Sequence, residues 1–289
     1  METAELGQTG KRVSRLGFGG APAGLTDYLS KYTPEDQAAR EQVIAAIHRA
    51  LELGVTYFDT AAGYGLGESE RIFGESLADQ TDIFLATKVS RNDFPNIRKS
   101  LESSLERLNR SSVDLLQLHG SSFDDWHIDT ILKAGGAADQ LDKLKQEGLI
   151  RSAGFTTEDN NEAVYKLIQS SRFDVMQICY NFVYQHPYEP SRPFGSIIEA
   201  HNRGMGIVTM RAMTSGILQR WIQNVNPDNT FDYTPALLQF VLSNPLVNVG
   251  LAGMITVDEV VQNAAIASDL ENRISMDWLH ERYIKRSDA

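Results

Sequence analysis

Short, almost wholly apolar runs recur along this chain with helix-like segments between them, and that alternation limits the folds available to it. The runs are VSRLGF (13–18), VTYFD (55–59), IFLATKV (83–89), VDLLQLH (113–119), IRSAGF (150–155), VMQICY (175–180), GIVTM (206–210) and VNVGLAG (247–253). Each is nearly continuous in its apolar character, which is how a parallel strand covered on both faces reads. The intervening segments carry helical spacing: REQVIAAIHRALELG (40–54), NIRKSLESSLERLN (96–109), LDKLKQEG (141–148), NEAVYKLIQS (161–170) and VDEVVQNAAIASDL (257–270). A further helical pattern starts at about Glu68. Glycine or asparagine closes several of them, as expected at helix C-termini. Eight such units match the size of a (β/α)8 barrel. An open doubly wound sheet is the rival, but GxGxxG does not follow the first run.

No Pro/Gly/Ser linker or low-complexity tract divides the chain, so residues 1–289 are expected to form one barrel domain. Residues 120–136 and 212–234 read as long irregular loops after the fourth and seventh strands. In a barrel both lie on the C-terminal face, and loops of that length are usually functional.

Charge and composition narrow the function. The net charge of −11 disfavours nucleic acid and anionic membranes as partners. A phosphate-bearing ligand would need local cations, helix N-termini or backbone N–H groups. No apolar run reaches about 18 residues, and the polar METAELGQTGKRVS start lacks the core of a signal peptide. Cys179 is the only cysteine, which rules out an intrachain disulfide and a zinc site built on several thiolates. A cytoplasmic protein acting on a small molecule is the expectation.

Three of the strand runs end in polar residues. Asp59 closes the second, Lys88 stands at the end of the third and His119 closes the fourth. In a barrel these ends are neighbours on the rim where active sites are built. Tyr64, between Gly63 and Gly65 on the loop after Asp59, can lean over the same spot. A strand-end Asp alone also reads as the N-cap of the next helix. Taken together, burial of Asp59 and Lys88 is most simply met by pairing them. Tyrosine has an ordinary pKa of about 10, and a nearby ammonium favours the phenolate. With Asp59 holding Lys88, and His119 donating to a carbonyl oxygen, the group would form an acid that protonates an oxygen as charge develops on it.

The stretches LGFGG (16–20), GVTYFDTAAGYG (54–65), ATK (86–88), SLERLNRSSVDLLQLH (104–119), GLIRSAGF (148–155), QICYN (177–181) and GMGIVTM (204–210) resemble the aldo-keto reductase superfamily in order and spacing. The resemblance implies a (β/α)8 barrel that binds a nicotinamide dinucleotide across its C-terminal face. It also implies hydride transfer to or from a carbonyl or alcohol substrate, with Asp59, Tyr64, Lys88 and His119 as the catalytic quartet. Gln177 stands where relatives hold the nicotinamide carboxamide. Thr156 and Thr157 replace the usual Ser-Asn pair, so an amide is missing. Met210 replaces a flat side chain behind the ring. Arg211 becomes the local cation for the pyrophosphate, or else a surface arginine. Gln262 and Asn263 match the adenine-binding pair, and Gly19 and Gly20 a backbone approach to the cofactor or a plain turn. After Gly253, Ile255 and Glu259 stand where many relatives carry arginines for a 2′-phosphate. Family usage therefore points to NADP while Glu259 leaves NAD as the alternative. Trp126, with Asp124, Asp125 and His127 beside it, and Trp221 could line the substrate pocket. A dinucleotide-binding regulatory module with slow turnover is the competing function, and a Schiff-base aldolase using Lys88 a third.

Overall fold

A computed structural model of the chain describes residues 1–26, 36–188, 195–276 and 278. It begins with a hairpin of β1 (Thr3–Glu5) antiparallel to β2 (Arg12–Ser14). Eight parallel strands then close into a barrel: β3 (Leu16–Gly19), β4 (Tyr57–Asp59), β5 (Phe84–Ser90), β6 (Val113–His119), β7 (Ile150–Thr157), β8 (Val175–Cys179), β9 (Gly206–Met210) and β10 (Val249–Gly253). They pair in chain order, with β10 closing on β3. All eight coincide with the apolar runs. The first run is divided, however, because VSRLGF supplies both the end of β2 and the start of β3. Ser14 marks the break, with its hydroxyl donating to Leu16 O at 2.7 Å and accepting from Thr56 N at 2.9 Å.

The helices are α1 (Ala21–Gly24), α2 (Gln37–Glu52), α3 (Glu68–Leu77), α4 (Ile97–Leu108), α5 (Asp125–Leu132), α6 (Ala137–Gln146), α7 (Glu162–Gln169), α8 (Ser196–Asn202), α9 (Ile217–Val225), α10 (Thr234–Ser243) and α11 (Val257–Ser268). Local chemistry sets several of their ends. Asp36 caps α2 by accepting from Ala38 N and Ala39 N, and Asn109 closes α4 in the left-handed region at φ 51°. The two stretches read as irregular loops are corrected: 120–136 contains α5, and 212–234 contains a 3-10 turn at Thr214–Gly216 followed by α9. Helix α10, TPALLQFVLS, is buried over six consecutive residues, Leu237–Leu242. Its sequence shows no polar face, and hence no 3.6-residue period to read.

The core has two parts. The larger lies between strands and helices, and the smaller fills the barrel interior. Leu6, at the hairpin, is fully buried in the interior part with Tyr57, Leu115, Val175, Val208 and Val249. The hairpin thus covers the N-terminal mouth of the barrel, at about 1.5–3 kcal/mol of stabilisation for a side chain such as Leu6. Tyr57, Leu115, Val175 and Val249 come from alternate strands and form one interior layer. Two residues further along the same strands stand Asp59, Gln117, Gln177 and Leu251. The interior therefore changes from apolar to polar toward the C-terminal face.

Candidate active site

Asp59 and Lys88 meet inside that polar layer as an ion pair whose side chains are 3% and 0% exposed. An ammonium has three N–H groups, and three acceptors are present. They are Asp59 Oδ1, Thr60 O at 2.8 Å and the Tyr64 hydroxyl at 3.3 Å. The other Asp59 oxygen accepts from Gln117 Nε2 at 3.0 Å. Burial opposes the charge on Lys88, but the Asp59 carboxylate and then Tyr64 hold it above the usual lysine range. Burial pushes the Asp59 carboxyl upward, against the opposing pull of Lys88 and the two neighbouring amides.

The glycines around Tyr64 divide their roles. Gly65 has φ +63°, and a Cβ there would lie 1.9 Å from Gly24 O, so the turn can pass α1 only as glycine. At Gly63 the nearest atom to a Cβ would be Ser90 Oγ at 3.6 Å, so a methyl group is accommodated there. The turn is pinned on both sides, by Tyr64 N donating to Ala61 O at 3.1 Å and Ser69 N donating to Tyr64 O at 3.3 Å. Ser69 Oγ donates to Gly20 O at 2.8 Å, so the 2.8 Å contact with Thr60 Oγ1 takes its proton from Thr60. This links α3, the end of β4 and the end of β3, and sets Tyr64 over the rim.

His119 faces Tyr64 nearly edge-on, with ring centroids 5.6 Å apart and planes at 85°. Burial, followed by the charges of Lys88 and Arg91, pushes its pKa down to about 3. At neutral pH the imidazole is uncharged and offers one N–H and one acceptor.

Above these residues opens a cavity of about 870 Å³. Asp59, Tyr64 and His119 line it, together with Gly19, Thr156, Gln177, Met210, Arg211, Gly253, Glu259, Gln262 and Asn263. Several of these are already committed within the protein. Thr156 Oγ1 donates to Gly120 O at 2.7 Å and accepts from Gly120 N at 3.0 Å. Arg211 pairs with Glu158 at 2.7 Å. Glu259 accepts from Ile255 N at 2.8 Å while its own N–H donates to Thr256 Oγ1 at 3.1 Å, a cap on α11. Gln262 donates to Asp232 at 2.9 Å. Asn263 is 4% exposed and its Oδ1 has no partner among the described residues.

Lys88, beneath Tyr64, does not itself line the cavity, and neither do Gly20, Thr157, Trp126 and Trp221, nor Asp124, Asp125 and His127 beside Trp126. Gly20 donates its N–H to Asp59 O at 2.7 Å, and a Cβ there would come within 2.6 Å of Ser69 Oγ. Thr157 is buried and accepts from Asp159 N at 3.0 Å. Trp126 on α5 and Trp221 on α9 are 70% and 54% exposed. Conversely, Arg91, Glu158 and Arg220 line the cavity without having been picked out by the sequence reading. Gln117 was also missed, although a glutamine inside an apolar parallel strand is itself a signal, because a buried amide needs partners.

The model of the aldo/keto reductase family matches residues 15–264. The L-galactose dehydrogenase of Arabidopsis thaliana is 29% identical over 96% of this chain and 91% of its own length. Two solved structures share the fold. An aldo/keto reductase from Klebsiella pneumoniae, in complex with NADP and acetate, is 22% identical, covers 96% of this chain and 93% of its own, and has a TM-score of 0.73. The holo form of an aldo-keto reductase from Bacillus halodurans is 23% identical, with 93% and 91% covered and a TM-score of 0.72. No described helix is long and apolar enough to cross a membrane. The chain belongs to the aldo/keto reductase family and is an NAD(P)-dependent oxidoreductase.

Proposed function

We propose that the protein moves a hydride between NADP and a carbonyl or alcohol substrate of the aldehyde, ketone or sugar type, with Tyr64 as the proton donor and acceptor. The observation that carries this reading is the Lys88 ammonium, held by Asp59 and donating to the Tyr64 hydroxyl at the cavity floor. Because the phenol oxygen accepts from Lys88, the phenol's own proton is the one it gives away. In reduction, Tyr64 passes that proton to the substrate oxygen as negative charge builds there, and Lys88 steadies the phenolate left behind. The neutral His119 donates to the same oxygen. In oxidation the phenolate takes the proton back from the alcohol. The nicotinamide, when bound, supplies or accepts the hydride.

The cavity suits a dinucleotide. The unpartnered Asn263 Oδ1 is an acceptor for an amino group such as that of adenine. Arg211 and Arg220 are cations on its wall, and Arg220 has no ion-pair partner among the described residues. Arg220 supports NADP over NAD, because Glu259, turned onto Ile255 N, is engaged in a helix cap. The Klebsiella relative binds NADP, and the activity named for the Arabidopsis relative favours sugar-type substrates.

Tyr64→Phe tests the assignment. Loss of a general acid should lower carbonyl reduction about 10²–10⁴-fold, with NADPH affinity within a few-fold of the native value. A variant that keeps near-native turnover removes Tyr64 from the role.

A further inference from the structure

Arg91 opens the segment after β5, directly behind Ser90, whose register partner on β6 is His119. It lines the cavity together with Tyr64, His119, Gly120 and Ser121. Its guanidinium lies over the Phe123 ring, 5.3 Å from the centroid, and Phe123 is buried. An aromatic face attracts a guanidinium and holds it in place. Nη2 donates to Ser122 O, and Nη1 stands 3.5 Å from His127 Nε2. His127 Nδ1 lies 2.7 Å from Asp124 Oδ1, so the proton of the neutral ring goes to that carboxylate and Nε2 is left to accept.

Two of the five guanidinium N–H groups are thus spent, both on uncharged acceptors. The carboxylates of the neighbouring loops are committed elsewhere, Asp124 to His127 and Glu158 to Arg211, at 2.7 Å each. Among the described residues Arg91 forms no ion pair, so a fixed cation faces the catalytic end of the cavity with its charge uncompensated. The dinucleotide does not account for it. Gln262 and Asn263 stand on α11, after β10, and Arg211 and Arg220 both follow β9. The barrel order runs β9, β10, β3, β4, β5, and the Tyr64 turn follows β4. Around the rim, Arg91 is therefore beyond Tyr64 from every one of those residues.

We propose that Arg91 is a specificity-determining residue that receives a carboxylate on the substrate, so that the protein acts on oxo acids and acid sugars whose carbonyl lies between Tyr64 and His119. This rests on the carbonyl reading above and narrows its substrate class. The carboxylate takes no part in the redox step: in reduction the hydride goes to the carbonyl carbon and the Tyr64 proton to its oxygen, and no bond to the carboxylate changes. A planar carboxylate matches one guanidinium fork. A phosphate dianion would ask for a second cation, and the other arginines on the cavity wall, Arg211 and Arg220, lie on the β9 side.

Matched aldehydes test this in steady-state oxidation of NADPH: 4-oxobutanoate against butanal, and D-glucuronate against D-glucose. Within each pair the carboxylate is the difference. In the native protein the acid of at least one pair should lead in kcat/KM by about tenfold or more, the worth of one charge-assisted contact. Arg91→Gln should bring that ratio to within about twofold, and Arg91→Lys should restore part of it. Neutral aldehydes that match the acids in both pairs overturn the proposal on the native protein alone, whether or not the variants fold, and leave the carbonyl reading standing. A ratio unchanged in Arg91→Gln also overturns it, as does a tenfold loss of NADPH affinity in that variant, which would give Arg91 to the cofactor. D-glucose 6-phosphate reduced faster than D-glucuronate overturns the carboxylate in favour of a phosphate. If no member of either pair is reduced, the carbonyl reading itself falls, and this inference with it.

Discussion

Replacing Lys88 by methionine keeps most of the side-chain volume and removes the charge. Asp59, 2% exposed, then loses its ammonium partner and retains only the donation of the neighbouring amides. Breaking a buried pair from one side costs about 3–5 kcal/mol. Unfolding a chain of 289 residues carries an entropy of about 0.6 kcal/mol/K at 2.1 cal/mol/K per residue, so the melting temperature should fall by about 5–8 °C. The loss should also depend on pH. The Asp59 carboxyl is already raised by burial, and without the opposing Lys88 it rises further. A carboxyl raised in the folded state contributes stability that is present below its unfolded value of about 3.9 and lost as pH rises through the folded value. The defect should therefore be larger at pH 8 than at pH 5. Adding Asp59→Asn to Lys88→Met removes the stranded charge and should recover half or more of the loss at pH 8, without restoring turnover. Thermal unfolding of the single and double variants at both pH values measures all of this. A single variant as stable as the native protein at pH 8, or a double variant no better than the single, would refute the pairing as the source of the cost.

Three further outcomes are expected. The His119 pKa of about 3 lies below its ordinary 6.5, so the unfolded chain gains a proton that the native state does not; native stability is complete above about pH 6.5 and declines as pH falls toward 3. His119→Gln should remove about 2.5 kcal/mol of the decline between pH 7 and pH 4.5, and equal declines in urea denaturation of the two proteins would count against the burial of a neutral imidazole. Gly65→Ala, at φ +63° and 1.9 Å from Gly24 O, should destabilise the protein by about 1–3 kcal/mol and lower turnover at least about tenfold by moving Tyr64, whereas Gly63→Ala should be nearly neutral; equal effects in the two proteins would refute the steric argument. Arg220→Gln should weaken NADPH about tenfold, one charge-assisted contact, and NADH less than about threefold; equal losses in fluorescence titration would separate Arg220 from the 2′-phosphate.

The barrel was legible because parallel strands covered on both faces must be apolar along their whole length, and all eight runs show it. That Asp59, Lys88 and His119 gather at one end was legible because they break those runs at their C-terminal ends, the side on which a barrel collects polar groups. The hairpin beneath the barrel was not, since Leu6 is a single apolar residue among polar ones and its burial depends on the distant Tyr57, Val208 and Val249. Helices α5 and α9 also escaped. Each is short, and α9 has no fully buried residue, so neither presents a deep apolar stripe over several turns.

Local sequence thus determined which segments become strands and which side chains stand at their ends, because alternation and strand parity are properties of neighbours in the chain. Which cations face the cavity, which of its polar groups are already spent, and that Gln117 donates to both Asp59 and Gln177 were decided only by the tertiary structure. Those depend on hydrogen bonds between residues such as Gln117 and Asp59, 58 positions apart, and a hydrogen bond is a matter of distance and direction in space that no spacing along the chain encodes.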